Sequence, residues 1–417
     1  MSNAVQGPIR VSANGRYFVD QVGTPFFWLG DTSWPLLTKY TLPQAEAYLE
    51  NRAAKGFTVI QCVIAWTDED GPLPQANSAG QRPWLDNNPA TPNPDFFQPI
   101  DQLVSYAAQR GLILALLPAW GHFFKTTKSI TEANAQAYGR WLGEHYRAAP
   151  NVVWVNGGDR TPTSFENVFR ALAHGLREGD GGVHLISYHP VGGRSSSQYF
   201  HQESWLDFNM LQTWSDWFRV HPAVMSDALR TPAKPIVHAE GAYENGPEYP
   251  TGPITPLIVR RQAWWAFLAG GFHTYGQNQM WRMEPGWDQT FDTPGAAQVG
   301  CFKKILTARP WWTLVPDQSL FAQGINCERT LNAAARSEDD QWALVYLSSQ
   351  CTVRLPLDKI GAREVQATWI NPQTGEEHDA GKYLTGNRQG AVFPQGQSQS
   401  FTTPPFWEDA VLSLTAV

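Results

Sequence analysis

At 417 residues the chain exceeds one ordinary domain and has room for a barrel of about 250 to 300 residues plus a small partner. Hydrophobic residues make up 42% and charged residues 17%, with 35 Gly and 31 Pro, a balance that supplies a large core and excludes a disordered chain. The formal charge of −7 comes without a basic stripe, and no run approaches about 20 apolar residues, which excludes nucleic acid as a partner and a membrane-spanning helix.

The chain starts MSNA, the pattern of a cloning remnant, so a secreted or periplasmic protein whose signal has been removed is expected, with a cytoplasmic one left open. IRVSANGRYFVD (9–20), turning at Asn14-Gly15, predicts a hairpin before the first long element. From Pro25 onward, short apolar runs alternate with longer amphipathic ones. The predicted strands are PFFWLGDT (25–32), TVIQCVIAW (58–66), LILALLPAW (112–120), VVWVNGGD (152–159), HLISYHP (184–190), FNMLQTW (208–214), PIVHAEG (235–241) and GFHTYGQ (271–277).

Between them lie helical patterns such as LPQAEAYLENRAAKG, FFQPIDQLVSYAAQRG, ITEANAQAYGRWLGEHYR and SFENVFRALAHGLREG, several closed by a Gly at a C-cap position. The sixth unit is the least regular, because residues 217–230 are short and contain Pro222. Eight alternations predict a (β/α)8 TIM barrel over residues 25–312, with residues 1–24 as remnant and hairpin. After Arg309-Pro310 the helical period gives way to QWALVYLSS, TVRLPL, REVQATWINPQTGEE and AVLSLTAV, which predict a small all-β sandwich over 313–417.

The four cysteines show no CxxC spacing, so a zinc site is not expected; Cys62 reads as core, and Cys327 and Cys351 as a possible pair. The 19 Trp exceed what a core needs and hint at stacking on sugar rings, although most of them fill the barrel.

A TIM barrel places its site at the C-terminal ends of its strands, so the polar residues that close apolar runs are the ones to weigh. Asp31 closes the first run, Asp68 to Asp70 follow the second and His122 the third; Asp159, His189, Glu240 and Gln277 close the fourth, fifth, seventh and eighth, and Gln212 lies in the sixth. Strands four and seven lie across the barrel, so Asp159 and Glu240 can face each other over a bound sugar. Glycosidic cleavage needs that pair: one protonated carboxyl for the leaving oxygen, one carboxylate to attack or to activate water. No metal or organic cofactor is required.

Plainer readings exist. Asp159 could cap the following helix and Glu240 could pair with an Arg such as Arg260; Glu203, Glu244 and Glu284 read as solvated loop carboxylates. His122, His189, His238 and His273 could ligate a metal, against which stands the absence of any HxH or HxxH spacing. His238, two residues before Glu240, is expected on the same strand face. A non-catalytic carbohydrate- or collagen-binding protein is the other alternative.

The chain resembles the apiosidase-like glycoside hydrolases of family 140. The likeness is carried by NGRYFVDQVGTPFFWLGDTSW, KGFTVIQ, VVWVNGGDR and PIVHAEGAYE, and by WINPQTGE and FTTPP in the tail, which resembles a collagen-binding-type domain. The resemblance implies Asp159 as acid/base, Glu240 as nucleophile, a retaining mechanism and exo action on a terminal sugar, apiose being the characterised example, on plant-type polysaccharide. Expected sugar contacts are Asp31, Trp34, Trp66, Trp120, His122, Asn156, His189, Trp214, Tyr243 and Gln277. The expected partner is an oligosaccharide or polysaccharide.

Overall fold

Eight parallel strands form the central sheet: β1 (Leu29–Thr32), β2 (Val59–Ala65), β3 (Ile113–Ala119), β4 (Val152–Gly157), β5 (Ile186–His189), β6 (Asn209–Gln212), β7 (Ile236–Glu240) and β8 (Phe272–Tyr275). This computed structural model describes residues 7–68, 71–246, 252–386 and 398–417. The chain's first four residues and Glu69 and Asp70 thus lie outside the described residues. Every residue of the eight strands is buried, as expected for a parallel sheet covered on both faces.

The hydrogen-bonded order is β5-β4-β3-β2-β1-β8-β7-β6, with Arg194–Ser195 added antiparallel on the β6 edge. The sheet curls so that β1 pairs with β8, Leu29 opposite His273 and Asp31 opposite Tyr275. The remaining seam, between β5 and β6, is bridged by Asp207: its N–H donates to Ile186 O at 2.9 Å and its carboxylate accepts from Ile186 N–H at 2.6 Å. The predicted TIM barrel is therefore the observed fold.

Helices α1 (Leu42–Ala54), α2 (Pro94–Gln109), α3 (Glu132–Tyr146) and α4 (Glu166–Asp180) follow β1 to β4, and α5 (Val220–Ala228), α6 (Pro256–Leu268) and α7 (Pro294–Thr307) follow β6 to β8. Only the one-turn helix Ser197–Phe200 follows β5, which leaves the β6 edge for Arg194–Ser195. Pro222 sits in the first turn of α5, where its missing N–H costs no helical bond. One predicted stop is moved: Gly179 lies inside α4, where a Cβ would meet Arg140 O of α3 at 2.1 Å, and the left-handed cap is Gly181 at φ +70°.

The first predicted strand splits in two. Pro25–Phe26 pairs antiparallel with Phe18–Val19, which pairs with Arg10–Val11, and only Leu29–Thr32 enters the barrel. The chain reverses its partner at Phe27, whose carbonyl accepts from Thr58 Oγ1 at 2.8 Å. Phe18 then closes the barrel floor against Trp28, Phe208 and Phe272.

The tail holds a six-stranded antiparallel sheet in the order Leu314–Pro316, Ala333–Ser337, Trp342–Leu347, Ala410–Ala416, Glu364–Ile370, Glu377–Leu384, and a two-stranded layer of Thr352–Pro356 and Ser398–Thr402. Strand alternation divides its side chains between two cores. Trp342, Leu344 and Tyr346 pack with the barrel core, while Ala343, Val345 and Leu347 pack with Val353, Leu355 and Phe401 inside the sandwich.

Across that contact Trp264 stacks on Tyr346, with centroids 5.6 Å apart. Buried Arg260 is gripped by Asp409 at 2.7 and 3.1 Å, and Tyr346 donates to Asp409 at 2.8 Å. The four cysteines are free thiols, so Cys327 and Cys351 do not pair. No described helix is long and apolar enough to cross a membrane.

Candidate active site

The NGGD run ends β4 with three successive left-handed residues, Gly157 at φ +93°, Gly158 at +109° and Asp159 at +50°. The glycines are there for close approach as well as for conformation. A Cβ on Gly157 would stand 2.3 Å from His189 O, and one on Gly158 2.6 Å from the Trp120 ring. The turn throws Asp159 back over the barrel mouth, in a conformation that Asp tolerates better than most residues. It does not cap α4, whose N-cap is Phe165.

A bulge aims Glu240. Leu211 pairs with His238 and Gln212 with Glu240, so β7 spends two residues where β6 spends one, and Thr213 N–H secures the end by donating to Glu240 O at 3.0 Å. The extra residue breaks the two-residue alternation. His238 consequently does not join the carboxyl pair: its ring bonds Thr213 Oγ1 at 2.9 Å and His273 Nδ1 at 3.0 Å. Arg260, which could have been the partner of Glu240, is held by Asp409 instead.

Between the two carboxyls stands His189, wholly buried, with Nε2 3.2 Å from Glu240 Oε2 and Nδ1 3.9 Å from Asp159 Oδ1. One atom from each of the three residues lies within 4.8 Å of the others. The side chain of Glu240 is 8% exposed and that of Asp159 34%, so the first lies at the floor and the second at the rim.

Burial, and then the Glu240 charge, raise the Asp159 pKa to about 7. Burial raises Glu240 to about 8, against the hydrogen-bonding side chains of Tyr243 and Gln212. A nucleophile works ionised, and the depth of Glu240 opposes that state. Burial pushes His189 below the usual imidazole range, so the ring is neutral, and neither ring nitrogen has hydrogen-bond geometry with a carboxyl.

Aromatic rings wall the mouth. Trp120 packs 5.1 Å from both Trp34 and Trp66, Trp34 meets His189 edge-on at 5.2 Å, and Trp281 links Trp66 with Tyr243. Trp214, at the β6 end, is 47% exposed at φ +47°. Gln212 and Trp281 belong to this set although neither was among the expected sugar contacts; the position of Gln212 in a strand opposite Glu240 was the available signal.

Four expected sugar contacts face elsewhere. The Asp31 carboxylate is consumed by Arg52, by Tyr48 OH at 2.7 Å and by Thr32 N–H at 2.8 Å, on the helix side of β1. Asn156 donates to Phe169 O of α4 at 3.4 Å, and Gln277 caps the short helix Asn278–Arg282 by accepting from Met280 N–H at 2.6 Å. His122 Nε2 lies 3.1 Å from Gly71 O. Of the rival carboxylates, Glu244 is buried rather than solvated, accepting from Tyr275 and from Gly295 N–H at the start of α7. Glu203 pairs with Arg170 at 2.9 Å, and Glu284 lies on the surface.

Asp159, His189 and Glu240 are also the residues that could be asked to hold a metal. Their closest approaches use opposite ring nitrogens, so the imidazole is wedged between the carboxyls instead of converging with them on one point, as a tetrahedral site requires. The donor set suits an opposed carboxyl pair better than a metal site.

Residues 12–313 match the family described as apiosidase-like, catalytic domain. The chain belongs to the apiosidase-like family. Residues 315–414 match the family described as "Putative collagen-binding domain of a collagenase". No curated protein sequence matches. Among solved structures, the apiosidase-like chain is similar to one titled glycoside hydrolase, at 27% identity and TM-score 0.87 over 98% of this chain and 97% of that one. It is equally similar to a glycoside hydrolase family 5 structure from Bacteroides vulgatus ATCC 8482, at 27% identity and TM-score 0.87 over 98% and 94%. A GH27 β-L-arabinopyranosidase from Geobacillus stearothermophilus shares the fold alone, at 12% identity and TM-score 0.59 over 94% and 97%. By its family and these structural neighbours the chain is glycoside hydrolase-like.

Proposed function

We propose that the protein is a retaining, exo-acting glycosidase in which Asp159 is the general acid/base and Glu240 the nucleophile. The observation that carries this reading is the opposed pair, one oxygen of each carboxyl lying within 4.8 Å of one oxygen of the other. Retaining enzymes hold their carboxyls about 5 to 5.5 Å apart, and inverting ones about 6.5 to 9.5 Å, to make room for a water. Unequal exposure supports the division of roles. Glu240 at the floor lies where an anomeric carbon would be attacked from below, and Asp159 at the rim lies where a leaving group departs towards solvent.

The free site holds the proton more tightly on Glu240, so productive substrate binding must leave it on Asp159, which passes it to the leaving oxygen while ionised Glu240 forms the glycosyl-enzyme. In the second, Asp159 deprotonates water, which releases the sugar and restores the pair. Gln212 and Tyr243 donate to Glu240 as an anion, and Trp214, exposed at the β6 end, offers a ring face to the sugar.

The family favours an apiose-like or other side-chain sugar of plant polysaccharide. The test is sugar release from a panel of plant oligosaccharides and aryl glycosides by wild type, Asp159→Ala and Glu240→Ala, each checked for folding. Release by wild type alone supports the reading; release by both variants removes the catalytic pair, and no release by any of them removes the glycosidase.

A further inference from the structure

The residue that makes the β7 bulge stands outside the ladder. Leu211 pairs with His238 and Gln212 with Glu240, and β8 pairs only with Val237 and His238, so Ala239 has no register partner among the described strands. An irregular backbone persists where its surroundings over-determine it. Three successive residues of β7 are held by groups from other parts of the barrel.

The Ala239 carbonyl accepts from Gln61 Nε2 at 2.9 Å, and the same nitrogen donates to Thr32 Oγ1 at 3.1 Å. Gln61 lies on β2 and is wholly buried, so it reaches across the barrel interior to the peptide that precedes Glu240. A carbonyl only accepts, which fixes the amide with its nitrogen towards Ala239. Thr213 grips both sides of the bulge: its N–H donates to Glu240 O at 3.0 Å, and its Oγ1 meets His238 Nε2 at 2.9 Å. His273 of β8 backs His238, with Nδ1 facing Nδ1 at 3.0 Å and the stacked rings 5.1 Å apart.

Burial pushes both imidazoles below their usual range, so both rings are neutral. Two facing Nδ1 atoms then hold one N–H between them. If His238 carries it, His238 Nε2 accepts from the Thr213 hydroxyl; if His273 carries it, His238 Nε2–H donates to that hydroxyl. A threonine serves either arrangement and a valine neither.

We infer that Gln61 and the chain Thr213–His238–His273 are positioning residues that fix the β7 bulge, and with it the angle at which the Glu240 carboxylate meets the anomeric carbon. The inference rests on Glu240 as nucleophile. The four residues act through the β7 backbone, and the reacting atoms are left to Glu240 and Asp159.

The experiment measures kcat/KM, which reads formation of the glycosyl-enzyme, per folded full-length molecule on dinitrophenyl and phenyl glycosides of the sugar that the substrate panel identifies. Thr213→Val, Gln61→Met and His273→Phe should each lower it about tenfold for both leaving groups, with inhibition by the free sugar unchanged. Thr213→Ser and His273→Asn keep a polar atom in place and should stay within about threefold of wild type. Thr213→Val with His273→Phe should lose no more than Thr213→Val alone, because both interrupt one chain. Wild-type rates in Thr213→Val and Gln61→Met overturn the inference, as does a loss confined to the phenyl glycoside, which marks a displaced acid, or an equal loss in Thr213→Ser and His273→Asn. Those outcomes leave the nucleophile standing; full activity of Glu240→Ala, assayed in parallel, would remove the nucleophile and the inference with it.

Discussion

The indole Nε1 of Trp34 donates to the hydroxyl oxygen of Tyr243 at 3.1 Å, and Tyr243 is the first of the side chains that hold down the Glu240 pKa. Indole only donates, so the phenol accepts from Trp34 and keeps its own proton for a carboxylate. Tyr243→Phe removes a donor from the Glu240 anion, which favours the protonated acid. The limb of the pH–rate profile on which activity rises with pH should move to higher pH. Trp34→Phe should lower kcat about tenfold with little change in KM, since about 1 to 1.5 kcal/mol of orientation is lost. Steady-state kinetics between pH 4 and 9 check both.

Because the folded pKa of Glu240 lies near 8, above its ordinary 4.5, the folded state binds the proton more tightly. The stability this contributes is complete below about 4.5 and is lost as pH rises through about 8. Glu240→Gln removes the loss, so it should raise Tm at pH 8.5 and change it little at pH 4, with a gain on the order of 1 to 3 kcal/mol. The same variant removes the Glu240 charge that helps to raise Asp159. Carbon NMR titration should find the Asp159 pKa lower than in wild type yet still above the usual range, because burial is the larger cause.

Gly158→Ala places a methyl group 2.6 Å from the Trp120 ring at φ +109°. Either the ring or the turn must yield, and the turn carries Asp159. Thermal melting should show a loss of about 1 to 3 kcal/mol, and kcat should fall at least tenfold. Unchanged kinetics would mean that the NGGD turn does not set the position of the acid.

Arg260 and Asp409 join barrel to sandwich with both side chains buried. Arg260→Met strands a buried carboxylate, at a cost of about 3 to 5 kcal/mol. Arg260→Met with Asp409→Asn should recover part of it. Chemical denaturation of the three proteins tests this, and equal stability of all three would contradict the coupling.

The fold was legible because a parallel strand covered on both faces is an unbroken apolar run, and VIQCVIA and ILALLPA can be little else in this alternation. Asp159 and Glu240 were legible as the carboxyls that end such runs. Facing was less so. Asp31, Asn156 and Gln277 also end runs, but strand alternation turns the first two to the helix layer and a local cap occupies the third, and no composition rule reports which way a terminal residue points. The β7 bulge is invisible in IVHAEG, and it separates His238 from Glu240. The depth that raises Glu240 is a property of the assembled mouth, not of its neighbours in sequence.

The most direct test of the division of roles between Asp159 and Glu240 is azide rescue, on the glycoside that the substrate panel identifies. With Asp159→Ala the glycosyl-enzyme still forms and azide should attack it, restoring turnover and giving a glycosyl azide of retained anomeric configuration. With Glu240→Ala azide should enter from the vacated floor and give the inverted product. The opposite pairing of variant and configuration, or rescue of neither variant, would contradict the assignment.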